Sequence, residues 1–233
     1  MRTHQLWLKR ITTLGLILMM GASMSACASL NFGTSWKEEV LLHDGSKIVV
    51  TRSQSHGGRH EIGQPSPIKE HAITFTLPSL NKSITWRDEF SEEIGHSNFD
   101  LLALHILNGI PFIVVSPDGC LSYNKWDRPN PPYVIFKYDG NAWQRIPLSE
   151  FPAEFKEINL VVNTLRHEME ISSQSPVRAE LVKKLNSSLV QPEYQTILRE
   201  PMKTEWCPQY PSGPKAPLPM TPILPLNNTD VKK

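Results

Sequence analysis

The chain has 233 residues, enough for one domain with a sizeable core plus tails. Its 24 basic and 23 acidic residues nearly cancel, which removes the electrostatic footprint expected of a nucleic-acid binder and of a polybasic membrane patch. There are 20 prolines, concentrated late, and 3 cysteines, so the end of the chain and its redox chemistry need separate accounts.

Residues 1–26 read as an export signal. Arg2, Lys9 and Arg10 form a positive start with no acidic residue to offset it. The apolar run that follows, centred on Leu16 to Met20, is shorter than the ~20 residues a bilayer-spanning helix needs. It ends in Met24-Ser25-Ala26-Cys27. That tetrapeptide resembles the lipobox of bacterial lipoprotein precursors, an aliphatic residue and two small residues before a cysteine. The resemblance implies diacylation of the Cys27 sulfur, cleavage before Cys27 and acylation of the new α-amine. Ala28 stands where an aspartate tends to retain such proteins at the inner membrane, so the resemblance points to the outer membrane, facing the periplasm. The competing reading is an ordinary secretory signal cut near Ala26 or Ala28.

Residues 27–35 are small and polar and read as a flexible tether. Residues 36–165 read as an antiparallel β domain built from four hairpins. In the first, Val40–His43 and Lys47–Thr51 flank Asp44-Gly45, whose sequence suits a tight primed turn. Gln54 to Lys69 follows as a long loop carrying His56, Gly57, Gly58 and His60. The second hairpin, His71 to Phe90, alternates Ile73, Phe75 and Leu77 with Ala72, Thr74 and Thr76. An acidic connection, Ser91 to Phe99, leads to the third, Leu101 to Ser116. Its Asn108-Gly109 is the strongest short-range hairpin signal in the chain, and apolar residues on both faces predict central strands covered on both sides. Pro117 to Pro132 reads as irregular. The fourth hairpin, Tyr133 to Leu148, turns at Asp139-Gly140, and Ile158 to Val162 reads as a ninth strand.

Residues 166–200 read as a helical segment packed on that domain. After a polar stretch, Pro176 to Leu189 places Val177, Leu181, Leu185 and Leu189 on one face of a helix, with Ser175 as its cap. Residues 201–233 form a proline-rich tail in which Pro208, Pro211, Pro214 and Pro217 recur every third residue, the period of polyproline II. The predicted fold class is therefore mainly β: an antiparallel meander closing into a barrel or pairing into a sandwich, with one C-terminal helix and that tail.

The chemistry-bearing residues are few. If Cys27 carries lipid, Cys120 and Cys207 remain, and an oxidising compartment favours a disulfide between them. Tyr123, Trp126, Arg128, Tyr133 and Trp143 could line a saccharide or peptide groove, although aromatics flanking strands more often belong to the core. His56 and His60, with His71 beyond, are weak metal candidates, because the intervening Gly-Gly argues against the helix that would align them. Asp88, Glu89, Glu92 and Glu93 could supply a carboxylate pair, or simply a solvated sheet edge. No phosphate-cradling loop, serine elbow or Cys-x-x-Cys is present. The sequence therefore leans away from an enzyme and predicts no cofactor.

Stretches such as Ser122-Tyr123-Asn124-Lys125-Trp126 and Phe136-Lys137-Tyr138-Asp139-Gly140 resemble those of small, uncharacterised proteobacterial lipoproteins. The expectation is a binding or assembly module held at the bilayer through Cys27, with an envelope protein or glycan as partner. An envelope hydrolase or metal-dependent enzyme is the alternative.

Overall fold

The structure, a computed structural model, describes residues 33–77, 81–162 and 164–207. The expected export signal, Cys27 and the proline-rich stretch from Pro208 onward lie outside those residues.

The eight hairpin strands fall into two antiparallel sheets of four, each a simple meander. The first holds β1 (Thr34–Leu41), β2 (Lys47–His56), β3 (Ile68–Leu77) and β4 (Lys82–Asp88). The second holds β5 (Phe99–Leu107), β6 (Ile110–Pro117), β7 (Val134–Tyr138) and β8 (Trp143–Ile146). Val40, Val50, Ile73 and Phe75 of one sheet share a core with Leu101, Leu104, Ile113 and Val115 of the other. Neither ladder continues into the other sheet, so the two layers face each other as in a sandwich and do not close into a barrel.

The sheets differ in how they meet solvent. The first buries one face and exposes Thr51, Thr76 and Thr85 on the other. The second is covered twice. Leu102, Phe112, Val114 and Ile135 on its outer face pack under Phe151, Phe155, Ile158 and Ile197. This explains the near-continuous apolar run of the third hairpin.

Double coverage does not make β5 central. It is an edge strand, and the predicted ninth strand does not form beside it. Instead Asn159 supplies one strand residue's worth of pairing from its side chain. Its Oδ1 accepts the Leu104 amide at 2.9 Å and its Nδ2 donates to the Leu104 carbonyl at 2.8 Å and to the Leu41 carbonyl at 3.0 Å. Leu160 N–H then donates to the Leu102 carbonyl at 3.1 Å. The buried polar groups of the edge are satisfied without a ladder.

Other boundaries also differ from expectation. At the first turn Gly45 alone takes a positive φ, +84°, and Asp44 Oδ1 accepts the Ser46 amide, so the turn is not the primed type. Asn108 and Gly109 do both take positive φ, 51° and 75°. β2 runs to His56, which shortens the long loop to 57–67. The stretch after β6 contains helix α1 (Gly119–Lys125), and the polar stretch contains α2 (Glu168–Ser172), anchored by buried Ile171. The third helix, α3 (Ala179–Asn186), is shorter than predicted and buries Ala179, Val182, Leu185 and Asn186. Val177 is withheld from it. Its amide donates to the Lys37 carbonyl and its carbonyl accepts from Glu39, extending the β1 edge.

Candidate binding cleft

The Asn108-Gly109 turn sets an initial register in which Leu107 faces Ile110 and Ala103 faces Val114. Continued without interruption, it would put Asp100 opposite Pro117, and Asp118 on the other face of the sheet. A bulge between Leu101 and Ala103 shifts the pairing by one. Asp100 now faces Ser116, and the Asp118 amide donates to the Asn98 carbonyl at 2.8 Å. Asp100, Ser116 and Asp118 therefore share the outer face, because side chains two apart point the same way.

Those carboxyls form the floor of a cleft of ≈ 390 Å³. Pro65 and Pro67 of the β2–β3 loop wall one side; Val162, Leu165, Leu189 and Tyr194 wall the other. Gly58 helps seat that loop. At φ +99° it passes so close to Gly95 that a Cβ would lie 2.2 Å from the Gly95 carbonyl oxygen, and the Arg59 amide donates to that oxygen at 2.8 Å. Among the described residues, no lysine, arginine or histidine lines the cleft.

The electrostatics follow from that placement. Asp100 keeps some accessible surface toward the cleft but is deeply enclosed by protein. Burial raises its pKa well above the ordinary carboxyl value, Asp118 raises it further, and the Arg52 charge opposes the shift. Burial also raises Asp118, against the pull of His96 and His71. His96 Nδ1 lies 3.3 Å from Asp118 Oδ2 and 2.8 Å from the Ser97 carbonyl. Burial likewise lifts the Tyr194 phenol, only partly offset by the Ser116 hydroxyl. Arg52 itself is committed elsewhere, to Glu38 at 3.3 Å and to the Val161 carbonyl at 2.7 Å.

The residues singled out from sequence are distributed differently. Tyr123 is buried on α1, 5.1 Å from the Trp206 ring and under the Arg128 guanidinium. Trp126 packs on Phe99 and Phe136, with Arg145 over its face. Arg128 bonds Asn124, the Glu205 carboxylate and the Cys207 carbonyl. Trp143 packs tilted against Tyr138, ring centroids 5.3 Å apart, and donates to the Thr85 carbonyl at 2.8 Å. Tyr133 is buried, its hydroxyl 2.9 Å from the Glu193 carbonyl. Of these five, Tyr133 alone lines the broader cleft of ≈ 550 Å³ beside Asp127, Asn130 and Arg145, whose charges already pair with each other at 3.2 Å.

Cys120 and Cys207 are joined by a disulfide. His56 lies at the end of β2, 3.4 Å from the Gln54 amide nitrogen, while His60 contacts the Gly58 carbonyl. Among the described residues no three His, Cys, Asp or Glu side chains converge for a metal. Of the four acids at the end of β4 and just beyond it, Asp88 is buried, accepting from Asn98 and the Phe99 amide at 2.8 Å each, with His71 at 3.3 Å. Glu89, Glu92 and Glu93 are exposed. Asp100, Asp118 and Tyr194 belong to no motif in the sequence. The available signal was two aspartates at matching ends of the most apolar hairpin, and the bulge that unites them leaves no mark in residue type.

Comparison with protein-family profiles, curated proteins and solved structures finds no match for this chain.

Proposed function

We propose that this chain is a lipid-anchored protein of the bacterial envelope, and that its β domain is a non-enzymatic binding module presenting the Asp100–Asp118 cleft. The observation that carries this reading is the Cys120–Cys207 disulfide. It takes up both cysteines outside the lipobox-like Met24-Ser25-Ala26-Cys27. Structural disulfides belong to exported chains in oxidising compartments, and the pairing leaves Cys27 as the remaining cysteine for acylation. Each buried methylene of an acyl chain contributes about 0.8 kcal/mol, so several chains on one residue hold firmly where one holds marginally. The bilayer is then the first partner, through Cys27, with an envelope protein or glycan as the second. Ala28 favours the outer membrane, with the domain in the periplasm.

The test is Cys27→Ser, followed by palmitate labelling and fractionation of envelopes. The variant is expected to lose the label and leave the membrane fraction. Continued labelling and pelleting would overturn the anchor.

One observation favours a second reading, an envelope hydrolase. Two carboxyls with raised pKa values share a cleft, as acid–base pairs do. Binding is preferred because burial pushes both carboxyls and Tyr194 toward their un-ionised forms, whereas an acid–base pair needs one member charged. Turnover of an envelope glycan or peptide that Asp100→Asn abolishes would reverse that preference.

A further inference from the structure

We infer that the end of the domain carrying Ile62, Met169 and Val190 rests on a phospholipid surface, with these side chains inserted at the boundary of headgroups and acyl chains. This builds on reading Cys27 as the lipid anchor and names a second contact between the protein and the bilayer. Three observations carry it.

The first is where the exposed apolar residues stand. Ile62, Val190 and Met169, at 107 %, 88 % and 81 % exposure, are the three most exposed large apolar side chains among the described residues. One such residue alone is ordinary; a group of them marks an interaction surface. Ile62 belongs to the 57–67 loop, whose Pro65 and Pro67 wall the cleft, and Val190 lies between Leu189 and Gln191, which also line it. Leu165, another wall residue, is itself 41 % exposed. Met169 follows it on α2, whose Ile171 packs in one cluster with Trp36 near the start of β1. The other end of the domain is different. There the Asp44-Gly45 and Asn108-Gly109 turns line one hollow and expose Asp44, Ser46, Lys47 and Asn108.

The second is where the chain enters. Thr34, at the start of β1, pairs with Gln54. Gln54 Oε1 accepts the Thr164 hydroxyl at 3.0 Å, one residue before Leu165, and β2 runs on from Gln54 toward the loop that holds Ile62. The described chain therefore begins at the end that carries the exposed apolar residues. Five residues, 28–32, separate Cys27 from Gly33. An extended chain spans at most about 3.6 Å per residue, so acylation at Cys27 keeps Gly33 within about 20 Å of the lipid surface.

The third is how Ile62 is presented. The base of its loop is fastened: the Gly57 amide donates to the Pro67 carbonyl at 3.0 Å and the Arg59 amide to the Gly95 carbonyl at 2.8 Å. At the tip the Gln64 amide donates to the Glu61 carbonyl at 3.1 Å, closing a tight turn in which Gly63 takes a φ of +88°. Ile62 holds the second position of that turn. An apolar side chain already ordered in solvent loses little freedom on insertion. The exposed charges nearby are of both signs, Arg59 and Arg166 with Glu61 and Glu168, so the contact is apolar rather than electrostatic.

The test uses the lipidated full chain extracted from envelopes and reconstituted into vesicles of phosphatidylethanolamine and phosphatidylglycerol. Hydroxyl-radical footprinting, read by mass spectrometry, compares it with the Cys27→Ser protein free in solution. Oxidation at Ile62, Met169 and Val190 is expected to fall about fivefold or more on the vesicles, with Leu41 and Ile110 unchanged. Leu165 reports insertion as distinct from mere closeness. Its protection is expected in the tethered wild type and is expected to disappear when Ile62→Ser, Met169→Ser and Val190→Ser are combined, thermal melts verifying that this variant is folded. Equal oxidation of the three sites in tethered and free protein, protection at Leu41 and Ile110 instead, or Leu165 protection that survives the triple substitution overturns the inference. If labelling shows Cys27 unacylated, the anchor reading fails. The comparison is then made with the Cys27 thiol coupled to a maleimide phospholipid in the vesicle, and the same outcomes judge the surface on its own.

Discussion

At the residue scale, the buried charges do the structural work. Glu38 is fully buried on β1. It accepts from Arg52, from Trp36 Nε1 at 3.1 Å and from the Val161 amide at 2.7 Å. Removing one partner of such a pair strands the other charge, so Glu38→Ala is expected to lower unfolding free energy by about 3–5 kcal/mol in urea titration. A loss below 1 kcal/mol would mean that the hub is solvated. His105 makes a second prediction. Burial pushes its pKa down to about 4, against the hydrogen bond to the Glu157 carbonyl. Its folded pKa lies below the unfolded value of 6.5, so the unfolded chain takes up the proton first. Stability falls as pH drops from 6.5 toward 4, by up to about 3 kcal/mol, and this contribution is flat outside that window. His105→Gln should flatten the slope of melting temperature against pH. Asp100 acts in the opposite sense. Its raised pKa makes the charged form a cost at neutral pH, so Asp100→Asn should raise the melting temperature at pH 7 and lose that advantage in acid.

At the element scale, Asn159 tests how the β5 edge is closed. It makes three hydrogen bonds, two of them to Leu104. Asn159→Ala leaves those backbone groups unpaired, so a loss of about 2–4 kcal/mol is expected, together with faster hydrogen exchange at the Leu104 amide. Unchanged protection there would show that water or a neighbouring strand can take its place. The same element shows what was legible in the sequence. Turn residues mark the hairpins, joined by two-residue alternation in the second and by a near-continuous apolar run in the third, because local chemistry and burial on both faces dictate them. Ile158 to Val162 carries the composition of a strand, yet an asparagine side chain replaces the ladder, and composition does not distinguish the two. Val177 fits the helical spacing of Leu181 and Leu185, yet β1 offers its backbone a partner, and that tertiary contact wins. Glu38 and Arg52 were in the inward phase, two residues from Val40 and Val50. Opposite charges in an apolar phase on paired strands are a readable sign of a buried pair. The Asp100–Asp118 cleft was not readable, since it depends on a one-residue bulge.

At the scale of the whole molecule, the disulfide ties the chain at one point, and the proposed lipid anchor would tie it at another. The disulfide closes a separation of 87 residues and fixes the last described residues to α1. Chain entropy alone assigns such a loop about 4–5 kcal/mol, an upper figure. Cys120→Ala with Cys207→Ala should therefore destabilise the domain by about 2–5 kcal/mol, and reduced wild-type protein should match the double variant. The proposed second point is Cys27, on which the envelope reading depends. Mass spectrometry of the N-terminal peptide, taken from protein extracted from envelopes, tests this most directly. A peptide beginning at Cys27 and carrying a diacylglyceryl thioether and an amide-linked acyl chain is the predicted result. A peptide beginning at Met1 or Ala28, or an unmodified Cys27, would contradict the account.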